Sequence, residues 1–108
     1  MAGGFDGGVV VEGAYGTISS GTKVVTTAGT AVALAASSTV AKRITIQSQT
    51  DNTSDVAVGG SGVLATVATG GGILLHPGDT YEINMSDLAS VYIDSLVNGE
   101  GVRYTYFV

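Results

Sequence analysis

Few residues of this chain have the chemistry that catalysis needs. Its single histidine, His76, stands before Pro77 in a turn sequence, and no Gly-x-Ser-x-Gly elbow supplies the nucleophile of a serine hydrolase. The chain contains no cysteine, which excludes disulfides, thiolate catalysis and zinc–thiolate sites. We therefore predict that His76 is a solvated loop residue and that the protein is not an enzyme.

The acidic residues could bind a metal ion, or act as the two catalytic carboxylates of a glycosidase, only if their spacing and geometry were suitable. Asp51, Asn52 and Asp55 carry oxygen ligands, but their spacing lacks the glycine and the distal glutamate of an EF-hand loop. A glycosidase would need two carboxylates facing each other across a cleft, and a small, charge-poor domain offers no evident cleft. We expect neither metal nor cofactor, and assign Asp51, Asn52 and Asp55 to turn chemistry. The other carboxylates near predicted strand ends are Asp79, Glu82, Asp87, Asp94 and Glu100.

One glycine-rich segment matches the letters of the dinucleotide-binding fingerprint, at residues 60–65. That fingerprint requires a following helix whose N-terminus meets the pyrophosphate. Three further glycines follow at residues 70–72, which interrupt any such helix. A β-turn is the better interpretation of this segment.

The composition limits the classes of partner. Charged residues make up 12% of the chain, against about 25% in typical domains. The net charge of −5 and a single basic pair, Lys42-Arg43, argue against nucleic-acid binding. No apolar run approaches the ~20 residues that span a bilayer, and the N-terminus lacks the features of a secretory signal, so we expect the protein to be made and assembled in a cytoplasm. A surface of hydroxyls and glycines would explain the low charge, but we favour a surface covered by protein neighbours.

The first 22 residues differ from the rest. Seven of them are glycine, which loses much backbone freedom on ordering. A frayed tail is one interpretation, but three valines in a row have no use in a solvated tail. We therefore divide the chain into an N-terminal arm, residues 1–22, and a β-sandwich domain, residues 23–108. The anchors predicted to order the arm against a neighbour are Phe5, Val9, Val10, Val11 and Tyr15.

From residue 23 onward, short alternating apolar segments are separated by turn residues. Ile44 and Ile46, for example, share one face of a strand. Turn signals recur at short spacing, including a type II turn at Pro77-Gly78 and a hairpin signal at Asn98-Gly99. Ser86 is predicted to cap a single helical turn. The pattern predicts an all-β, antiparallel sandwich of about eight short strands, of jelly-roll type. The clearest predicted strands cover residues 23–28, 30–35, 43–48, 63–68, 80–85 and 102–108.

Aromatic residues concentrate towards the C-terminus. Alternation along the last strand places Tyr104 and Tyr106 on one face with Val102, and Phe107 on the other. Outward-facing aromatic side chains are favoured interface anchors. We therefore add Tyr92 and Phe107 to the predicted partner-binding residues.

Seven short motifs follow one another at residues 42–47, 51–53, 56–59, 75–79, 87–88, 91–94 and 99–104. In this order they resemble those of a group of small β-sandwich virion proteins of tailed bacteriophages. The resemblance covers about residues 24–108 and implies a non-enzymatic head decoration (cement) protein. Such a protein would bind the major capsid protein on the outside of the virion, bridge capsomers and form a homo-oligomer, expected as a trimer.

Two alternatives remain open. The first is a tail-associated or head-fibre adaptor of the virion with the same fold. The second is a carbohydrate-binding β-sandwich module that uses Tyr92 or Phe107 as a stacking platform for a sugar ring.

Overall fold

The computed structural model describes residues 16–108. The predicted arm anchors Phe5, Val9, Val10, Val11 and Tyr15 lie outside the described residues. Within that range the chain forms eight strands and one 3₁₀ turn, Leu88–Ser90. The strands are β1 (Ile18–Val24), β2 (Val32–Ala33), β3 (Arg43–Ser48), β4 (Val56–Gly59), β5 (Ile73–Leu75), β6 (Thr80–Ile83), β7 (Tyr92–Ser95) and β8 (Gly101–Phe107).

The strands pair in a nested order. β1 pairs with β8, β2 with β7, β3 with β6 and β4 with β5, all antiparallel. These pairs join into two four-stranded sheets, with the orders β1-β8-β3-β6 and β2-β7-β4-β5. We call them sheet A and sheet B. An eight-stranded double sheet with this nested order is a jelly roll. The predicted all-β, antiparallel sandwich of about eight strands is therefore confirmed.

The core lies between the inner faces of the two sheets. Ile44 and Ile46 of β3 are fully buried, whereas Arg43, Thr45 and Gln47 alternate with them on the outer face of sheet A. Their neighbours on β8 follow the same alternation, so that Val102, Tyr104 and Tyr106 pack against the core, as the alternation along β8 predicts. Sheet B contributes Val56, Val58, Leu75 and Ile93.

The structure corrects the predicted boundary between arm and domain. β1 begins at Ile18 and pairs with β8 along its whole length, so residues 18–22 belong to the sandwich. One of the glycines that marked this stretch as arm-like, Gly21, lies opposite Tyr104 of β8. A Cβ atom built on Gly21 would lie 2.5 Å from the hydroxyl oxygen of Tyr104. A side chain at position 21 would therefore require the Tyr104 ring to shift.

Three other local predictions are corrected. Residues 63–68 are not a strand; they belong to a loop held by the single bridge Leu64–Gly71. The Asn98-Gly99 turn does not form a hairpin, because β7 and β8 belong to different sheets and the turn carries the chain across the sandwich. Asp87, and not Ser86, caps the 3₁₀ turn by accepting a hydrogen bond from the backbone N–H of Ala89.

The type II turn is confirmed. Gly78 has φ of +88°, and the N–H of Asp79 donates to the carbonyl of His76. Within residues 16–108 there is no helix long and apolar enough to cross a membrane.

Candidate partner-binding surfaces

The side chain of His76 links two loops through its contact with Asp55, which we call the clamp. Its Nδ1 atom lies 2.5 Å from a carboxylate oxygen of Asp55, and its backbone N–H donates to the carboxylate of Asp79. The imidazole is 72% exposed, which confirms its predicted place in a solvated loop. The hydrogen bond to Asp55, the charge of Asp55 and then the charge of Asp79 raise the pKa of His76 above its ordinary value of 6.5.

The clamp predicts a pH dependence. The folded protein binds the His76 proton more tightly than the unfolded chain does. The stabilisation of the fold by protonated His76 is therefore complete below pH 6.5 and is lost as the pH rises through the pKa of His76 in the folded protein. NMR titration of the imidazole should give a pKa above 6.5 in the native protein and a lower one in Asp55→Asn. Equal values in the two proteins would contradict the clamp. Asp51→Asn, on the same loop, serves as the control.

Asn52 lies in the predicted turn, where its N–H donates to the carbonyl of Gln49, and its side chain points into the protein. It is 8% exposed, and its side-chain NH₂ donates to the hydroxyl of Ser48 and the carbonyl of Gly101. The side-chain amide of Asn52 therefore forms hydrogen bonds within the fold and does not face the solvent. The described residues contain no group of three or more His, Cys, Asp or Glu side chains that could hold a metal ion.

Asp87 and Glu100 each accept hydrogen bonds from backbone N–H groups and from a hydroxyl group. Asp87 accepts hydrogen bonds from the N–H groups of Thr39 and Ala89 and from the Ser38 hydroxyl, which lower its pKa in that order of effect. Glu100 accepts from the backbone and hydroxyl of Thr53 and from the N–H of Ser54. The N–H of Thr53 is the main reason that the pKa of Glu100 lies below its ordinary value.

Glu82 and Asp94 lie in different parts of the sandwich. Glu82 forms an ion pair with Arg43 on the outer face of sheet A. Asp94 is 1% exposed, and its carboxylate accepts hydrogen bonds from the N–H groups of Gly29 and Ala65, each 2.9 Å long. The sequence analysis missed this burial, because a carboxylate near a strand end is normally solvated.

Residues 60–72 form a loop that covers the outer face of sheet B. Ala65 is fully buried and Val63 nearly so, and both pack on Ala57 of β4. Tyr92 is half-buried and packs against the same small cluster. No helix follows the glycines of this loop, so the letters of the dinucleotide fingerprint have no structural counterpart here.

The solvent side of this loop and the adjoining strand β5 expose large apolar side chains. Leu64, Val67 and Leu74 are 36%, 75% and 37% exposed, and together they line a shallow depression of about 100 Å³. We call these three residues the apolar patch. The sequence pattern did not indicate this patch, because Leu64 and Val67 fall in residues 63–68, which were predicted to form a strand.

Phe107 lies on the opposite face of the molecule from Tyr92. It belongs to the outer face of sheet A, where the register places it between Ile18 of β1 and Arg43 of β3. Further along this face is a groove of about 360 Å³, lined mainly by polar side chains. The two predicted aromatic anchors are therefore not brought together. The side chains of the groove include Ser20, Thr22, Thr45, Gln47, Thr80, Arg103 and Thr105.

An apolar cleft opens between the sheets beside β5 and β6. It has a volume of about 460 Å³, and its apolar walls include Ile73, Tyr81, Ile83 and Met85. Ile73 is 45% exposed at its mouth.

A comparison with protein-family models, with curated proteins and with solved structures finds no match to this chain.

Proposed function

We propose that this protein is a non-enzymatic structural protein of a tailed-bacteriophage virion, a head decoration protein that binds the major capsid protein from outside. The observation that carries the proposal is the apolar patch of Leu64, Val67 and Leu74 on a surface with few charges. Contiguous exposed apolar residues mark surfaces that bind other proteins. The jelly-roll order supports the proposal, since this fold recurs in viral capsid proteins.

Contacts with sheet B hold the loop that carries Leu64 and Val67, two of the three residues of the apolar patch. The hydrogen bond from Ala65 to Asp94 and the packing of Val63 on Ala57 fix the inner side of the loop. Val67, at the tip, is consequently presented on a positioned loop, which lowers the entropy cost of binding. The anchors predicted in residues 1–15 would add a second contact. Many such contacts over one shell would raise the apparent affinity by effective concentration.

The test is binding of the purified protein to phage shells that lack it. The double variant Val67→Lys, Leu74→Lys should bind at least about tenfold more weakly, because a central apolar contact is replaced by charges that must be desolvated. Val40→Lys is the matched control, since Val40 is 67% exposed but lies outside the patch. Equal binding by the double variant and the native protein would overturn the assignment of the patch. Copy number per virion separates this role from the tail-adaptor alternative, which predicts few copies.

One observation favours the carbohydrate-binding alternative. The groove on sheet A presents hydroxyl, amide and guanidinium groups, which suit the hydroxyls of a sugar. A glycan array separates the two hypotheses. Binding that is lost in Gln47→Ala and retained in Val67→Lys would support the groove as the functional site.

A further inference from the structure

β1 is the longest edge strand of the sandwich. It has seven residues, whereas the other edge strands, β2, β5 and β6, have two, three and four. Among residues 16–108, β8 is the only strand that pairs with β1, so one edge of β1 has no strand beside it. A long strand edge of this kind is a template for pairing with another chain.

The hydrogen-bond pattern shows which backbone groups point towards the open edge. Thr17 and Val108 exchange both of their N–H···O bonds, and the N–H of Val25 donates to Glu100. In an antiparallel pair such residues alternate with residues that face away from the partner strand. The odd-numbered residues of β1 therefore bond to β8. The residues whose N–H and C=O groups point to the open edge are Ile18, Ser20, Thr22 and Val24.

We propose that this edge is a self-association surface, on which the β1 strands of two copies pair antiparallel about a two-fold axis at Gly21. Centred there, the register places Ile18 opposite Val24 of the partner subunit and Ser20 opposite Thr22 of the partner subunit. Every one of these pairs consists of residues whose backbone groups face the open edge. The register therefore satisfies all the outward-pointing groups of β1 in both copies at once.

The side chains agree with this register. Ile18 and Val24 are exposed apolar residues, 63% and 40% exposed, and both lie on the outer face of sheet A. Pairing places Ile18 of each copy opposite Val24 of the partner subunit, and apolar cross-strand pairs of this kind stabilise sheets. Lys23 falls opposite Ser19 of the partner subunit, so no like charges meet. Gly21 lies on the axis, where a side chain would collide with Tyr104.

Within β1 itself, most of the usual devices against such pairing are absent. Soluble proteins protect long edges with proline, bulges or several charges. β1 contains no proline and one charged residue, Lys23, and its register with β8 continues without a bulge from Ile18 to Val24. A two-fold contact closes on itself, so the dimer becomes the elementary oligomer in place of the trimer expected from the resemblance. This inference goes beyond the proposed function and does not depend on it.

Sedimentation equilibrium of the full chain tests the inference. The protein should sediment with twice its monomer mass of 10.7 kDa as its concentration rises through the micromolar range. Ser20→Pro removes an N–H group that points away from β8, so it should weaken dimerisation at least about tenfold and leave the circular dichroism spectrum of the sandwich unchanged. Val40→Lys is the control. A native protein that stays monomeric, a trimer, or a Ser20→Pro variant that is folded and still dimeric would overturn the proposal.

Cross-linking tests the register independently of that variant. Positions 19 and 23 face each other across the proposed axis at the close, non-hydrogen-bonded spacing of about 4.5 Å between Cα atoms, within reach of a disulfide. The chain has no native cysteine to interfere. An equimolar mixture of Ser19→Cys and Lys23→Cys proteins should oxidise to a disulfide-linked dimer, whereas each protein alone should not. Equal cross-linking in all three samples would contradict the register.

Discussion

Replacing Gly101 with alanine is expected to lower the free energy of unfolding by about 3 kcal/mol. Gly101 is buried at the start of β8, opposite Val24 of β1. A Cβ atom there would lie 2.0 Å from the carbonyl oxygen of Lys23 and 2.8 Å from the Cα atom of Val24. Both obstacles are backbone, so the two strands must separate to admit the methyl group.

Urea unfolding measures the effect, and Gly62→Ala is the matched control. Gly62 has no atom within 4 Å of a built Cβ and a φ outside the left-handed region, so alanine should be tolerated there. Because Gly101 also accepts hydrogen bonds from Gln49 and Asn52, the variant should expose the 49–55 loop to faster hydrogen exchange. A Gly101→Ala protein as stable as Gly62→Ala would show that β1 and β8 are less closely apposed than described.

Asp94→Ala is expected to destabilise the protein by about 2–4 kcal/mol. The substitution leaves the buried N–H of Ala65 without its acceptor, at a cost of about 1–3 kcal/mol, and it also removes the bond from Gly29. The Gly29 N–H is only partly buried and can be hydrated, which keeps the estimate below twice that cost. Asp94→Asn should cost less, since it retains one acceptor oxygen.

Amide hydrogen exchange distinguishes the release of loop 60–72 in Asp94→Ala from a general loss of stability. Amide exchange at Ala65 should accelerate more than exchange at Ile46 in the core, because loop 60–72 loses its attachment to sheet B while the inner faces stay packed. Asp51→Ala, at an exposed position, is the control. If Asp94→Ala and Asp51→Ala were equally stable, the carboxylate would not be what holds the loop. The same variant should weaken shell binding if the apolar patch acts as proposed.

These two predictions connect stability with both proposed surfaces. Gly101 governs how closely β1 lies against β8, and β1 supplies the edge that we infer to dimerise. Asp94 attaches the loop that presents Leu64 and Val67. The two surfaces lie at different places on the sandwich, one at an edge of sheet A and the other over the outer face of sheet B. A protein could therefore use one for self-association and the other for a larger assembly.

The candidate surfaces were much less predictable than the fold. Tyr92 and Phe107 were identified from residue type and alternation, and they occupy opposite outer faces. The residues of the apolar patch went unrecognised, because nothing local distinguishes Val67 at an exposed loop tip from a valine in a strand. The open edge of β1 was equally hidden, since residues 18–22 had been assigned to the arm on glycine content.

Local sequence alone determined the all-β fold class of this protein and many details of its strands and turns. The alternation of Ile44 and Ile46 with polar neighbours requires a strand with one buried face, and Pro77-Gly78 specifies its turn through backbone geometry. Such features depend on residues adjacent in the chain. Only the tertiary structure decided that Asn98-Gly99 crosses between sheets, that Asp94 is buried, and that β1 forms an edge. Each of these depends on contacts between segments far apart in the chain, and short-range propensity carries no information about them.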